Sequence, residues 1–404
     1  MSNIELDLER QRLNIDLDFP PGSRFPHPET GEALPVYDTL QRSWRHQNFF
    51  QYECYINAFV PRVDGGPEQG KVRQVNVPWA RAQSGFTLAM ESMVMLLVQT
   101  GMTVKEAART LGEYPQRIWS LIFHHVDIAF SRMPLKEVTS LSVDEVSKRR
   151  GHDYLTVFSE PGRPGHKSRV VWVTEGREAE VVDRFVEFLK SRGIDSEQIG
   201  TVCTDMSPAY IKGLQEKFAW ARIVFDYFHV VQLVTKAVDE VRRRERKNFP
   251  ELLQGTRWLF LKGDAKLDEQ DPQHRDRLSQ TKLQTGRSYM QGEALRDIMK
   301  QKRAHLAEAD LKWWCGWVAR SRIPEMIRVG TTIRKHWDGI VEYLKTRVTN
   351  GAAEALNGVI QTVKRKSRGF RTFEHFRTMI YLVASRLTFE HLPNPVPSTH
   401  TQSY

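Results

Sequence analysis

Cysteine is scarce: the 404 residues hold three, at positions 54, 203 and 315. Thiols so far apart build neither a disulfide framework nor a four-thiolate zinc site, and each reads as a small buried apolar side chain. Long hydrophobic runs are missing too. No apolar stretch reaches the roughly 20 residues that cross a bilayer, and the opening MSNIELDLERQRLNIDLDF lacks the apolar segment of a secretion signal. These absences exclude a disulfide-stapled or membrane-spanning class and predict a cytoplasmic protein with no membrane partner.

What is present is ordinary for folded chains. Hydrophobic content of 40% and charged content of 27% argue against wholesale disorder, and the length calls for two or more packed units. The formal net charge of +10 suits a polyanionic partner without establishing one.

Along the chain, residues 43–80 alternate in a β-rich pattern around a Gly-Gly-Pro turn, which predicts a small antiparallel module within a segment 1–82. In segment 83–134, TVKEAARTLGEYPQRIWSLIFHHV reads as a short helix, a turn at Gly112 and a second helix after Pro115. That is a helix-turn-helix pattern, with Gln116, Arg117 and Ser120 facing outward on the second helix; small helical bundles generate the same pattern. Segment 135–230 alternates strands and helices, three strands as a meander and then helix-separated ones, which predicts a multidomain α/β protein with a mixed sheet. Segment 231–335 is charged and helical without strand signals. Segment 336–392 is helical again, and 393–404 reads as a frayed tail.

The acids carry the chemistry. VTSLSVDE places Asp144 where its strand ends, and TVCTDMSPAYIKGLQEKF does the same for Asp205. Each alone is more readily read as a helix cap or a solvated charge. In an open α/β sheet, however, residues leaving strand ends gather along one edge. A third acid, Glu354, lies in NGAAEALNGVI on a helix opened by Asn350-Gly351, with Asn357 three residues on and placed to orient the carboxylate. Three carboxylates sharing one place repel unless cations join them, and oxygen-only ligands favour Mg2+ or Mn2+. Two such ions ~3.5–4 Å apart activate an attacking hydroxyl and stabilise a leaving oxygen in phosphodiester displacement, so no nucleophilic Ser or Cys is needed.

Asp144 in SVDE, Asp205 in CTDMSPAY, the run FDYFHVVQLV and Glu354 in TNGAAEALNGVIQTVKRKSRGFR together resemble the DDE transposases of bacterial insertion sequences, most closely the group called ISL-three. The resemblance runs in the same order over residues 36–387. It implies an RNase H-like catalytic core interrupted by an all-α insertion, with Asp144, Asp205 and Glu354 as ligands of Mg2+ or Mn2+. It further implies that water frees a 3′-OH at the element end and that this hydroxyl attacks target DNA. The implied partners are double-stranded DNA, as terminal inverted repeats and as target, and further copies of the chain in a homo-oligomer at the nucleoid. Asp226 and His229 form a D-x-x-H pair resembling one in related transposases. His229 is then either an acid or hydrogen-bond donor beside the scissile phosphate or a structural histidine at a strand-to-helix junction. Family members commonly begin with a cysteine-rich zinc ribbon; here FPHPETGEALPVYDT and PRVDGGPEQG offer no paired thiolates, so the module is expected to fold without zinc.

Basic residues supply the remaining candidates. Lys364, Arg365, Lys366, Arg368 and Arg371 follow Glu354 and read as phosphate contacts to the DNA being cut, or else as a solvated face. Arg149 and Arg150 after Asp144 are read the same way, and Arg242 to Arg246 as decoration of an exposed helix. The run WWCGW, at 313–317, stacks on unpaired bases or packs a core. Two rivals to a transposase stay open: a DNA-binding protein derived from a mobile element that has lost catalysis, and a structure-selective nuclease on the same fold.

Overall fold

A computed structural model describes residues 2–65, 72–148, 153–163, 165–176, 178–261 and 283–394, so Arg149 and Arg150 lie outside the described residues. The chain divides into two compact units: Met1–Met133 with Thr362–Tyr404, and Pro134–Gln361.

In the first unit, strands β1 (Asn3–Asp7) and β2 (Arg12–Leu17) form a hairpin. Strand β2 runs parallel to β6 (Tyr52–Val63), which pairs antiparallel with β5 (Asp38–Phe49). A separate small hairpin joins β3 (Arg24–Pro26) to β4 (Ala33–Pro35), and β7 (Arg73–Gln74) edges β6. The β structure thus begins some forty residues before the sequence pattern placed it. Ile4 and Leu6 pair with Ile15 and Leu13, an alternation shared among charged neighbours. Trp44, Ala58, Val60 and Ala80 make the module's core.

Helices α1 (Leu88–Gln99), α2 (Val104–Leu111) and α3 (Pro115–Arg132) follow. Thr103 opens α2 with a capping box: its hydroxyl accepts from Glu106 N at 3.2 Å, and the Glu106 carboxylate accepts from Thr103 N at 2.8 Å. Gly112 stops α2 at φ 71°, a left-handed conformation that suits glycine, and Pro115 starts α3 where no amide hydrogen is needed. The sequence placed this turn to the residue.

Two buried charges hold the unit together. Arg45 donates to Leu111 O at 2.9 Å and lies 3.6 Å from Glu113, fixing β5 to the turn between α2 and α3. Glu91, fully buried in α1, accepts from Arg81 at 2.9 Å, Ser84 at 2.6 Å and the His125 ring at 2.7 Å. Burial pushes its carboxyl up, but the His125 and Ser84 bonds and the Arg81 charge outweigh that and hold it below the usual range. The helix Phe373–Ala384 packs on α3, with Tyr381 stacked on Phe130 at 4.1 Å.

The second unit is built on a five-stranded sheet in the order β10-β9-β8-β11-β12. Strands β8 (Ser140–Ser147), β9 (Tyr154–Glu160) and β10 (Arg169–Glu175) form the expected antiparallel meander. Helix α4 (Glu180–Ser191) leads to β11 (Thr201–Thr204), parallel to β8, and α5 (Pro208–Lys217) to β12 (Arg222–Phe225), parallel to β11. Strand β11 is buried along its whole length, which is why its run VCT is apolar without alternation. One expectation needs correction: β8 does not end at Asp144. It continues to Ser147 against β9, while its pairing with β11 stops at Ser142.

After β12 the chain turns helical, as its charge-rich pattern predicted. Helix α6 (Tyr227–Glu245) and the helices Gln284–Lys300, Ala304–Ala319, Pro324–Lys335 and Trp337–Thr346 share one core with β11 and β12. The last of these lies so close to β12 that a Cβ on Gly339 would run into the Phe225 ring. Two side-chain readings are refined here. Trp314 is fully buried and its indole donates to Gln291 O at 2.7 Å, yet Trp313 is 61% exposed, so the WWCGW run divides between core and surface. Arg242 does not decorate a surface: it is buried and held by Asp239 at 2.8 Å. Among the described residues no helix is long and apolar enough to cross a membrane.

Candidate active site

One strand and three backbone junctions in the second unit bring the acidic candidates to one sheet edge. Asp144 lies on β8 just beyond the point where β11 stops pairing with it. Asp205 is the first residue after β11, and its Oδ1 accepts from Ser207 N at 2.9 Å, a local turn that launches α5. Asp226 is the first residue after β12 and stands at the N-cap position of α6, whose third residue is His229. Glu354 lies in the first turn of the helix Gly351–Lys366.

Their couplings are specific. Asp144 Oδ1 accepts from Glu145 N at 2.8 Å, and its Oδ2 accepts from Asn357 Nδ2 at 2.7 Å. Asn357 therefore reaches the acid on the strand across 213 positions of sequence, rather than its helical neighbour Glu354. Burial pushes the Asp144 carboxyl up to about 6; the Glu145 amide and the His229 charge oppose the rise, and the charges of Asp205 and Glu354 add to it. His229 Nδ1 lies 3.4 Å from Asp226 Oδ2, an ion-pair contact short of hydrogen-bond alignment. Asp226 raises the proton affinity of His229 against the opposing effect of burial, and Asp205 and Asp144 raise it further. These groups feel one another's charge.

The acids do not converge to ligand distance: among the described residues, no three His, Cys, Asp or Glu side chains are grouped closely enough to hold a metal ion. Asp144 is held by Asn357 and Asp205 by its own turn, while Glu354 faces solvent. Ser142 Oγ, Thr204 Oγ1, Asp226 Oδ2, Asn350 Oδ1 and Asn357 Oδ1 are buried at this edge without a hydrogen-bond partner. Such a concentration of unmet polar atoms marks a place completed by water, an ion or a substrate.

Two residues escaped the sequence reading. Asn350, fully buried, donates from its backbone to Asp226 Oδ1 at 3.1 Å and from its side chain to Val143 O at 3.5 Å. It ties the start of the Glu354 helix to the strand of Asp144 and to the cap of α6. In sequence, Asn-Gly before a helix looks like a turn alone. Tyr210 in CTDMSPAY, also fully buried, shares a 2.8 Å hydrogen bond between its hydroxyl and Thr156 Oγ1, fastening α5 to β9.

In the first unit, Gln116, Arg117 and Ser120 are exposed on α3. Arg117 is engaged within the unit, donating to Glu113 at 2.7 Å with its guanidinium 4.2 Å from the Phe86 ring centre. Lys364, Arg365, Lys366, Arg368 and Arg371 fall at the end of the Gly351–Lys366 helix and in the turn after it, within the unit that carries the helix-turn-helix.

A helix-turn-helix in one unit and acids on an α/β sheet edge in another are the parts of an insertion-sequence transposase. Residues 141–380 match a family model described as "Transposase", and residues 75–126 match the "Helix-turn-helix domain of transposase family ISL3". The chain belongs to the ISL3 family of DDE transposases. It is 27% identical over 365 residues to the transposase for insertion sequence element IS1557 of Mycobacterium tuberculosis, covering 82% of this chain and 79% of that one. It is 26% identical over 358 residues to the transposase for insertion sequence element IS1001 of Bordetella parapertussis, covering 84% of each.

Proposed function

We propose that Asp144, Asp205 and Glu354 are the catalytic carboxylates of this transposase, cleaving DNA at the element's terminal inverted repeats and joining the freed 3′ ends to target DNA. The observation that carries this reading is the raised proton affinity of Asp144, to which the charges of Asp205 and Glu354 both contribute although the three are far apart in sequence. An antiparallel meander followed by two parallel strands supports an RNase H-like core for residues 135–230, followed by the helical insertion 231–335.

The residues suit hard divalent cations. Their donors are carboxylate oxygens, and Mg2+ commonly takes only one or two protein carboxylates, with water and substrate phosphate completing its octahedron. When bound, Mg2+ or Mn2+ would supply an activated attacking hydroxyl and charge stabilisation at the leaving oxygen. Asn357 holds Asp144 in orientation. Asp226 keeps His229 readily protonated, so that its ring donates a hydrogen bond to a phosphate oxygen. Gln116, Arg117 and Ser120 on α3 read the terminal repeat. Processing two ends together calls for a homo-oligomer, and the protein works in the cytoplasm on nucleoid DNA.

A strand-transfer assay with purified protein, Mg2+ and DNA carrying the terminal repeats tests the reading. Joined products that disappear with EDTA are expected. Gel shifts without products would leave a DNA binder, and cutting of branched DNA without joining would leave a nuclease. Asn357→Ala should lower the cleavage rate by ~10–100-fold and raise the Mg2+ needed for half-maximal rate, as loss of a ligand-orienting partner does. An unchanged Mg2+ requirement would remove Asn357 from the site.

A further inference from the structure

The first unit contains a cavity of about 560 Å³ that no catalytic role uses. One wall is α2 and the start of α3; the other is the turn that follows the Gly351–Lys366 helix. Its rim carries Lys105 and Arg109, one helical turn apart on α2, and Lys366, Arg368 and Arg371 opposite. Lys105, Arg109 and Arg368 are exposed, and none has a carboxylate within ion-pair distance among the described residues. The acid at the rim, Glu106, is occupied by Thr103, whose backbone and hydroxyl donate to it at 2.8 and 2.9 Å. Glu106 also feels the charges of Arg109 and Lys366, and with five cations to this one carboxylate the lining is net cationic.

Its floor is rigid. Trp119 meets His375 edge-on at 4.4 Å, and Phe370 stacks on Phe376 at 4.9 Å, which anchors the turn. The Gly351–Lys366 helix is closed by Gly369 N donating to Lys364 O at 2.9 Å and Arg368 N to Arg365 O at 3.1 Å. In that closure the residue after the cap takes a left-handed conformation, normally a glycine. Here Arg368 occupies it at φ 55°, with Gly369 behind it at φ 93°. A long charged residue is held where glycine would rest free of strain. Arg322, Arg347 and Arg386 take left-handed positions as well, so what sets Arg368 apart is its place: its guanidinium stands at the cavity rim.

The geometry points to a phosphate-binding cleft, shared by the helix-turn-helix and the basic turn, that grips the backbone of the DNA whose bases α3 reads. The inference rests on the DNA-reading role of α3 and adds Lys105 and Arg109, which the sequence analysis had not singled out. It also assigns Lys366, Arg368 and Arg371 to DNA recognition rather than to the strand being cut. Each such contact contributes affinity and orientation without base preference.

The test is equilibrium binding of the full chain to duplexes of terminal-repeat and unrelated sequence across a salt series. The triple variant Lys105→Gln, Arg109→Gln, Arg368→Gln should flatten the log K against log salt slope by ~0.9 for each lost phosphate contact, up to about 3. It should weaken both duplexes by the same factor. Gln116→Ala should instead change the ratio between them. Arg368→Gly supplies a folding control: it should keep or raise Tm while flattening the slope by ~1. An unaltered slope, or a loss confined to the terminal-repeat duplex, would overturn the cleft. So would pyrophosphate binding that the triple variant abolishes while its DNA slope stays unaltered, since that would make the cavity a site for free phosphates. If the unmodified chain fails to prefer terminal-repeat DNA yet the slopes change as stated, the reading role of α3 fails and the cleft stands.

Discussion

Asp205→Asn should leave DNA binding and folding intact while lowering end cleavage by ~10³-fold or more. The substitution nearly preserves shape. The amide oxygen still accepts from Ser207 N, the 2.9 Å bond that sets the turn into α5, so the strand-to-helix junction survives. What disappears is a full negative charge beside Asp144 and His229, both of which feel it. Glu354→Gln should behave alike, because Glu354 faces solvent and, among the described residues, its carboxylate makes no ion pair. Single-turnover cleavage of end-labelled DNA, with a gel shift on the same preparation, reads both quantities. Wild-type cleavage by either variant would remove that acid from the chemistry. If both lose activity only with a parallel loss of melting temperature, the two acids are structural.

Asp144→Asn should make the metal-free protein more stable at neutral pH even though it destroys activity. The folded-state proton affinity of Asp144 is raised, from the ordinary 3.8 to about 6. The folded protein therefore holds this proton more tightly than the unfolded chain does. Stability from this group is fully present below about pH 4 and is lost as pH rises through about 6. Above that range the buried carboxylate costs up to ~3 kcal/mol. An amide has no such cost and should still meet Asn357. In EDTA, Asp144→Asn should melt higher than the unmodified protein at pH 7.5 and equally at pH 4. Adding Mg2+ should raise the melting temperature of the unmodified protein and leave the variant where it was. A variant that melts lower at pH 7.5 would show that the carboxylate stabilises the fold.

The sequence announced much of this. Gly112 and Pro115 localised the helix-turn-helix because left-handed backbone and a missing amide hydrogen each suit one position in it. The strands of the second unit were legible because apolar runs such as VVWV and TVCT are bounded by turn residues and helix caps. Strands β1 and β2 were missed because their alternation is diluted by charge: β1 is almost wholly exposed and β2 only half-buried. The end of β8 was misplaced because a strand stops at different residues toward its two neighbours, and period-two alternation records no such asymmetry. Among the acids, Asp226 and Asp144 carry the same residue type as a dozen solvated ones. Only the long-range contacts with Asn350 and Asn357 distinguish them, and contacts across more than a hundred positions leave no local trace. Arg368 illustrates the converse, since nothing in KSRGF reveals which residue will take the left-handed position.

Because β11 stops at Thr204, the outer half of β8 has an open flank. Side-chain amides close it: Asn350 reaches Val143 O, and Gln361 reaches Ser147 O at 3.5 Å. A helix thus substitutes for the absent end of a strand, its amides standing in for peptide groups. Lengthening β11 by even two residues would compete for those carbonyls and evict the helix that carries Glu354. Loss of transposition among copies of such an element can therefore begin in a four-residue strand, with every acid still in place.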